Sequence, residues 1–416
     1  GVTNAFNSLA SIMTAMAKAE AAAFPNGLPA VKGSPVAING WWVAPSGGRF
    51  SSPYERDYEQ ASAAASERVL EEYERSGVFD ACRKMLDDDV AIAVLPAFIG
   101  PVLIWAYPSG DAQFRQLTGW EAARMRQAVR SDDPARFAAA LNNALGYASL
   151  LERQPSATSW VTAAEIEAQA YGAVTRALRD RATAPWLDAV AGVLGAHEAH
   201  GAVSVALDGE KIVMRDAVCW VFADPDRARL GTFSPGLRTA LASWSGTPLR
   251  GRLGSLEENL TAVDAFCDGV AAAAASARAN RRGAETYTGD LAVVRQVVAC
   301  RPRLLEAIDR VRIDREGVRL LVALERHRLE HGAYPASLTG LIPAYIAREP
   351  VDPWTGKGFG YRRIDPQMDA ARRGYLLYSF GSDGVDNGGV NAGAPLDALL
   401  DSTVTGSDYI INDPRR

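Results

Sequence analysis

Along most of this chain apolar residues recur three and four positions apart, the spacing of one helix face, and the rhythm changes only near the end. Residues 4–23 form an alanine-rich amphipathic stretch that predicts a first helix. Residues 54–86 are charged, with Ala65, Val69, Leu70 and Tyr73 at compatible positions, and predict a second. Thr118 and Glu121 have the spacing of a capping box, which predicts a helix opening there and running through Val129. Asp133 before Pro134 reads as an N-cap followed by proline at the first helical position, with Phe137, Leu141, Ala144, Ala148 and Leu151 along the face and Pro155 as the stop. Thr162 with Glu165, and Ser255 with Glu258, spell two further boxes. Helical stretches follow at 186–194, 203–221 and 290–300. The longest runs from Pro302 to about His331, with Leu305, Ile308, Val311, Val318 and Leu321 along it. Gly317 is expected to loosen or kink it, because glycine costs about 1 kcal/mol in a helix interior.

Three stretches interrupt the helical pattern. Residues 24–53 are irregular and contain Trp41 and Trp42, read as covering a core or as a binding surface. Residues 222–254 are rich in Pro, Gly and Arg and predict a long loop with a short helix. The most apolar run, Val90 to Tyr107, is nearly long enough to cross a bilayer, but Pro96, Gly100 and Pro101 break it. It reads better as buried core or an apolar contact surface.

After His331 the signals are those of turns and strands. Gly332 sits where a helix end needs positive φ, and Pro335 prevents the helix from resuming. Tyr375 to Phe380 is a short aromatic and apolar strand. The segment GSDGVDNGG is turn chemistry with two carboxylates on it, and SDYIIND closes the pattern. The order is helix, HGAYP, a short leucine-bearing helix, a DPW turn, strands and an acidic glycine turn. Over residues 318–413 it resembles the globular domain of type II secretion pseudopilins, the major pseudopilin in particular. The whole chain looks like planctomycete-type bacterial envelope proteins in which such a module closes a helical region.

The resulting fold class is mainly α with a small α+β C-terminal domain. An irregular array of antiparallel helices comes first, then a long helix packed on a small antiparallel sheet. The organisation is an N-terminal helical and irregular region over 1–110, a helical array over 111–301 and a pseudopilin-like module over 302–416. By the resemblance, Asp352-Pro353-Trp354 is a structural turn. The resemblance also implies calcium, held by Asp383, Asp386 and Asp408 with backbone carbonyls. Glycine-spaced aspartates suit an ion that takes about six to eight oxygen ligands; the plain alternative is a turn whose Asp and Asn bond their own backbone. The chain departs from the family by inserting residues 390–406, which could carry Asp397 or Asp401 into the site or displace Asp408 from it.

Composition narrows the function classes. A net charge of −5 without a basic tract argues against nucleic acid. Apolar residues at 48% and charged residues at 22% are ordinary for a globular chain. Cys82, Cys219, Cys267 and Cys300 form no CxxC pair; two disulfides or buried thiols both remain open. No apolar pseudopilin-type helix follows Gly1, so membrane association is expected only through a segment outside this chain.

His327, Glu330 and His331 spell the HxxEH of inverted zinc metalloproteases, but Gly332 ends the helix at once, and His331 suits the role of capping its last carbonyls. His197 and His200 read as a polar helix end. GTFSPG is not a nucleophile elbow, and Gly356 to Gly360 has no phosphate-loop spacing. The preferred expectation is a non-enzymatic envelope or secretion-associated structural or interaction protein. It would be extracytoplasmic, in periplasm or at the cell surface, with protein partners or self-assembly. An alternative is a scaffold whose helical array makes the contacts while the module is only a cap. A third is a zinc hydrolase acting through residues 327–331.

Overall fold

A computed structural model describes residues 4–31, 34–35, 38, 53–88, 110–197, 203–223, 251–274, 283–299, 304–381, 384–390 and 408–413. Trp41, Trp42, the run from Val90 to Tyr107, most of 222–254, His200, Cys300, Asp383, Asp397 and Asp401 lie outside these residues. The chain is mainly helical with a small antiparallel sheet near its C-terminus.

Helix α1 (Ala5–Ala23) is opened by Asn4, whose side chain accepts the Phe6 N–H at 3.1 Å. A two-stranded ribbon, β1 (Ala30–Val31) with β2 (Ser34–Pro35), follows it. The single helix expected over 54–86 is two: α2 (Pro53–Arg75) and α3 (Val78–Met85). Gly77 between them has φ 76°, a left-handed conformation that ends one helix and redirects the chain into the next.

Helix α4 runs over Asp111–Ser131, α5 over Pro134–Glu152, α6 over Ala157–Arg181 and α7 over Ala184–Ala196. The Asp133 cap forms as expected, accepting the Arg136 N–H at 2.9 Å. The two Thr-x-x-Glu boxes do not form. Helix α4 begins seven residues before Thr118, behind Gly110, and Thr118 is buried mid-helix with its hydroxyl on the Phe114 carbonyl at 2.8 Å. Ser156, not Thr162, caps α6. Thr162 bonds the Thr158 carbonyl at 3.1 Å, and Glu165 pairs with Arg115 at 2.9 Å.

Helices α8 (Val203–Phe222), α9 (Leu256–Ala274) and α10 (Ala292–Ala299) pack around Met214, Val218, Val263 and Val294. Here the Ser255/Glu258 box is reciprocal, with Glu258 N–H on Ser255 Oγ at 3.1 Å and Ser255 N–H on Glu258 Oε2 at 2.6 Å. Of the described cysteines, Cys82 and Cys267 are buried thiols, whereas Cys219 is exposed despite its apolar neighbours in sequence.

Helix α11 (Leu304–His331) is the longest and carries the C-terminal sheet. Gly332 ends it with φ 74°. Strands β3 (Gly360–Arg363), β4 (Tyr375–Ser379) and β5 (Tyr409–Ile410) form an antiparallel sheet in the order β3-β4-β5, with Gly360 opposite Tyr378 and Tyr378 opposite Ile410. Asn412 extends the β4 edge through its side chain, accepting the Leu377 N–H at 3.1 Å and donating to the Tyr375 carbonyl at 2.8 Å.

Gly317 does not mark a break. A Cβ there would lie 2.7 Å from Ile411 Cγ2, so glycine lets the last strand approach the helix. Tyr409 then fixes the contact by donating its hydroxyl to the buried Asp314 of α11 at 2.8 Å. One core runs without interruption from Phe137, Tyr171 and Trp186 in α5 to α7, through Val318 to Leu324 in α11, to Trp354, Leu377 and Ile411.

Candidate functional site

The acidic turn is built between β4 and β5. Gly384, Gly388 and Gly389 have φ of 68°, 73° and 73°, so the turn from 384 to 389 coils through conformations that side chains resist. The coil aims the alternate N–H groups of Asn387 and Gly389 inward at Asp408, which is buried. Gly389 N–H donates to Asp408 Oδ2 at 2.7 Å, and Asn387 N–H lies 3.1 Å from Oδ2 and 3.3 Å from Oδ1. The Asp408 N–H in turn bonds the Val390 carbonyl at 2.8 Å, closing the ends of the long insertion on one another. Burial raises the Asp408 pKa; the N–H groups of Gly389 and Asn387 oppose this, and nearby Asp386 adds to it.

Asp386 faces the same turn differently. Its Oδ1 accepts the Gly388 N–H at 2.8 Å and the Tyr378 hydroxyl at 3.1 Å. The fold thus brings Asp386 and Asp408 together across the insertion, and Asp408 is not displaced. Their fit to calcium is unequal. The Asp408 carboxylate receives N–H donors on both oxygens and so serves as the turn's own internal anion, whereas Asp386 directs one oxygen to N–H and O–H donors and keeps Oδ2 for other company. Asp386 and Asp408 are the two carboxylates that the described residues bring to this turn, and among the described residues no group of three or more His, Cys, Asp or Glu gathers as a metal site.

The DPW turn behind this loop is a support. Asp352 is buried and accepts the Trp354 N–H at 2.9 Å on one oxygen, and the Ser379 hydroxyl at 2.8 Å and Phe380 N–H at 3.1 Å on the other. It anchors the end of β4, from which the acidic turn departs.

The HxxEH residues are spent on the helix end. His327 Nδ1 donates to the Ala333 carbonyl at 2.9 Å, its ring stands edge-on to His331 with centroids 4.4 Å apart, and Glu330 accepts the Tyr345 hydroxyl at 2.6 Å. Capping of the last helix carbonyls is expected of His331; the histidine bond at this end is instead that of His327, to the Ala333 carbonyl beyond the helix.

Two buried polar networks were not singled out from sequence. Glu121 of α4 accepts Asn143 Nδ2 at 2.8 Å and Tyr147 OH at 3.0 Å from α5, and pairs with Arg124 at 2.7 Å. Arg124 lies over the Phe79 ring, 4.1 Å from its centroid, tying in α3. In the second, Arg315 of α11 donates to the His197 carbonyl at 3.0 Å and lies 4.0 Å from Glu167 of α6. Only their polar identity at core positions of the helical pattern marks them in the sequence.

The chain matches no protein-family model, no curated protein and no solved structure.

Proposed function

We propose that this protein acts by binding and assembly, as a non-enzymatic, envelope or secretion-associated component whose pseudopilin-like C-terminal module presents the acidic turn to a neighbouring copy. One observation carries the reading. The backbone of the turn is held from within by Asp408, while its side chains Val385 and Val390 stand 55% and 51% exposed. A loop whose hydrogen bonds are satisfied internally, and whose apolar side chains face solvent, is preorganised for contact and loses little freedom on docking. Exposed apolar side chains on such a loop suit a protein partner. Calcium, in this proposal, would be held by Asp386 with Asp383 and backbone carbonyls, and Asp408 would brace the loop around it.

The test is sedimentation velocity on the full chain across a concentration series, with and without calcium, beside a Val385→Asp/Val390→Asp variant. The expected result is association that calcium strengthens and the variant loses, with the melting temperature of the calcium-free variant unchanged. A monomer at every concentration would overturn assembly through this turn. A calcium-independent melting temperature would overturn the ion, since a ligand that binds only the native state must raise it.

A further inference from the structure

Helix α11 closes on two histidines one turn apart, His327 and His331, and the contacts around the first fix how its ring is turned. The two rings stand edge to face at 85°, with centroids 4.4 Å apart. The Ala333 carbonyl, 2.9 Å from His327 Nδ1, can only accept, so Nδ1 carries the proton of the neutral ring and Nε2 keeps its lone pair. The Tyr345 ring packs on the same imidazole with centroids 5.7 Å apart, and its hydroxyl is held by Glu330 at 2.6 Å. A histidine tied to a carbonyl through one nitrogen and bare at the other is in the state a metal ligand adopts.

His331 is exposed, and among the described residues its ring makes no hydrogen bond, so it can turn without breaking one. Arg326 and Arg328, beside His327 in sequence, are paired with Asp188 at 2.6 Å and Glu325 at 2.8 Å, which draws both guanidiniums away from the imidazoles. The pair also lies at the C-terminal end of a 28-residue helix, where the backbone's partial negative charge favours a cation. Metal–nitrogen bonds of about 2.0–2.1 Å put each ring centre about 3.2 Å from a shared ion, so centres 4.4 Å apart subtend about 90°. That is the angle between neighbouring ligands of tetragonal copper(II) or nickel(II), and it is narrower than the tetrahedral angle of zinc.

We propose that His327 and His331 form a two-imidazole chelate for a divalent transition-metal ion of the copper(II) or nickel(II) type, with water in the remaining positions. Imidazole nitrogens select such ions over calcium and magnesium, which take oxygen ligands. The site binds and does not hydrolyse, because Glu330, the residue placed to act as a base, is bonded to the Tyr345 hydroxyl. The ion would join the last turn of α11 to the turn beyond it, through His331 on one side and the His327 bond to Ala333 on the other. The inference does not rest on the assembly reading, since none of these residues belongs to the acidic turn.

The test titrates glycine-buffered copper(II) into the full chain carrying Cys219→Ser, which removes the exposed thiol, with calcium in excess to occupy any oxygen site. Electron paramagnetic resonance counts the imidazoles. One ion per chain is expected, with hyperfine structure from two imidazole nitrogens. Adding His331→Ala or His327→Gln is expected to weaken binding at least about tenfold, since loss of a supporting contact alone costs that much. His331→Ala removes an exposed ring that makes no hydrogen bond, so its metal-free melting temperature should match the parent's and keep misfolding out of the comparison. A His197→Ala/His200→Ala chain is expected to bind as the parent does. No copper bound, a single imidazole in the parent spectrum, equal binding by His331→Ala, or loss of binding in the His197/His200 variant would overturn the chelate. Nickel bound more weakly than zinc would overturn the tetragonal geometry.

Discussion

Glu167 shows what a single residue contributes when the helical pattern buries it. Its carboxyl lies in the α6–α11 interface, and burial, reinforced by Glu152, pushes it up to about 8 while Arg315 pulls the other way. The folded state therefore holds this proton more tightly than the unfolded chain, where the ordinary value is 4.5. The stabilisation from the protonated group is complete below about pH 4.5 and is lost as pH rises through about 8. Urea midpoints of the parent are expected to fall between pH 5 and pH 8. Glu167→Gln, uncharged at any pH, should flatten that slope and exceed the parent at pH 8. Parallel pH profiles for the two proteins would remove the assignment. Asp111, Glu121, Asp352 and Asp408 are raised in the same direction by burial, so the difference between parent and variant is the informative quantity. At this scale sequence reading succeeded where chemistry is local and failed where it is not. Ser255 and Glu258 cap because Gly254, at φ 64°, sets the chain in a non-helical conformation immediately before them. Thr118 and Thr162 do not, because Phe114 and Leu117, or Ala157 and Trp160, already belong to the buried face before them. Thr-x-x-Glu spacing is shared by a cap and by two polar residues on one turn of a helix interior.

Between elements, the informative position is Gly317. Read alone it is a weak point in a long helix; in the fold it is a slot for Ile411, and the helix continues through it. Gly317→Ala is expected to gain about 1 kcal/mol of helix propensity and to lose about 1–3 kcal/mol to overpacking, for a net destabilisation. Pairing it with Ile411→Ala should cost less than the two single changes added together, because the second removes the methyl group the first would strike. Chemical denaturation of the four proteins of that cycle measures the coupling, and strict additivity would mean the contact is not what holds glycine there. Gly77 works in the opposite sense, since its positive φ does interrupt a pattern that reads as one helix. The periodicity of apolar residues passes through both glycines unchanged, so periodicity cannot tell a hinge from a contact.

Across the molecule, the C-terminal sheet is not hung on the array as a separable cap. Val318 to Leu324 face Ala170 to Leu178 on one side and Leu377 on the other within a single core. Removing residues 318–416 would therefore strip the array's own interior, and loss of partner binding in such a truncation would report unfolding. Native-state hydrogen exchange in rising urea is the better probe. Amides of α6 at 170–178 and of α11 at 318–324 are expected to open with the same free energy and the same urea dependence, as one cooperative unit. Opening of α11 well below α6 would show that the module comes apart on its own.

What the sequence determined by itself is the material of the fold. Helices follow from apolar spacing, the Asp133 and Ser255 caps from side chains that reach their own N–H groups, and the helix end at Gly332 from a glycine that accepts positive φ. Those interactions close within a few residues, so the local chain contains all the information. Only the tertiary structure decided which carboxylates meet: Asp386 and Asp408 lie on opposite sides of a long insertion, and Asp408 turned out to serve the turn's N–H groups. It also decided that Arg176, Arg328 and Arg372 line one cavity, although 196 positions separate the first from the last. Convergence across such distances is set by how whole helices and strands pack, and no spacing along the chain encodes it.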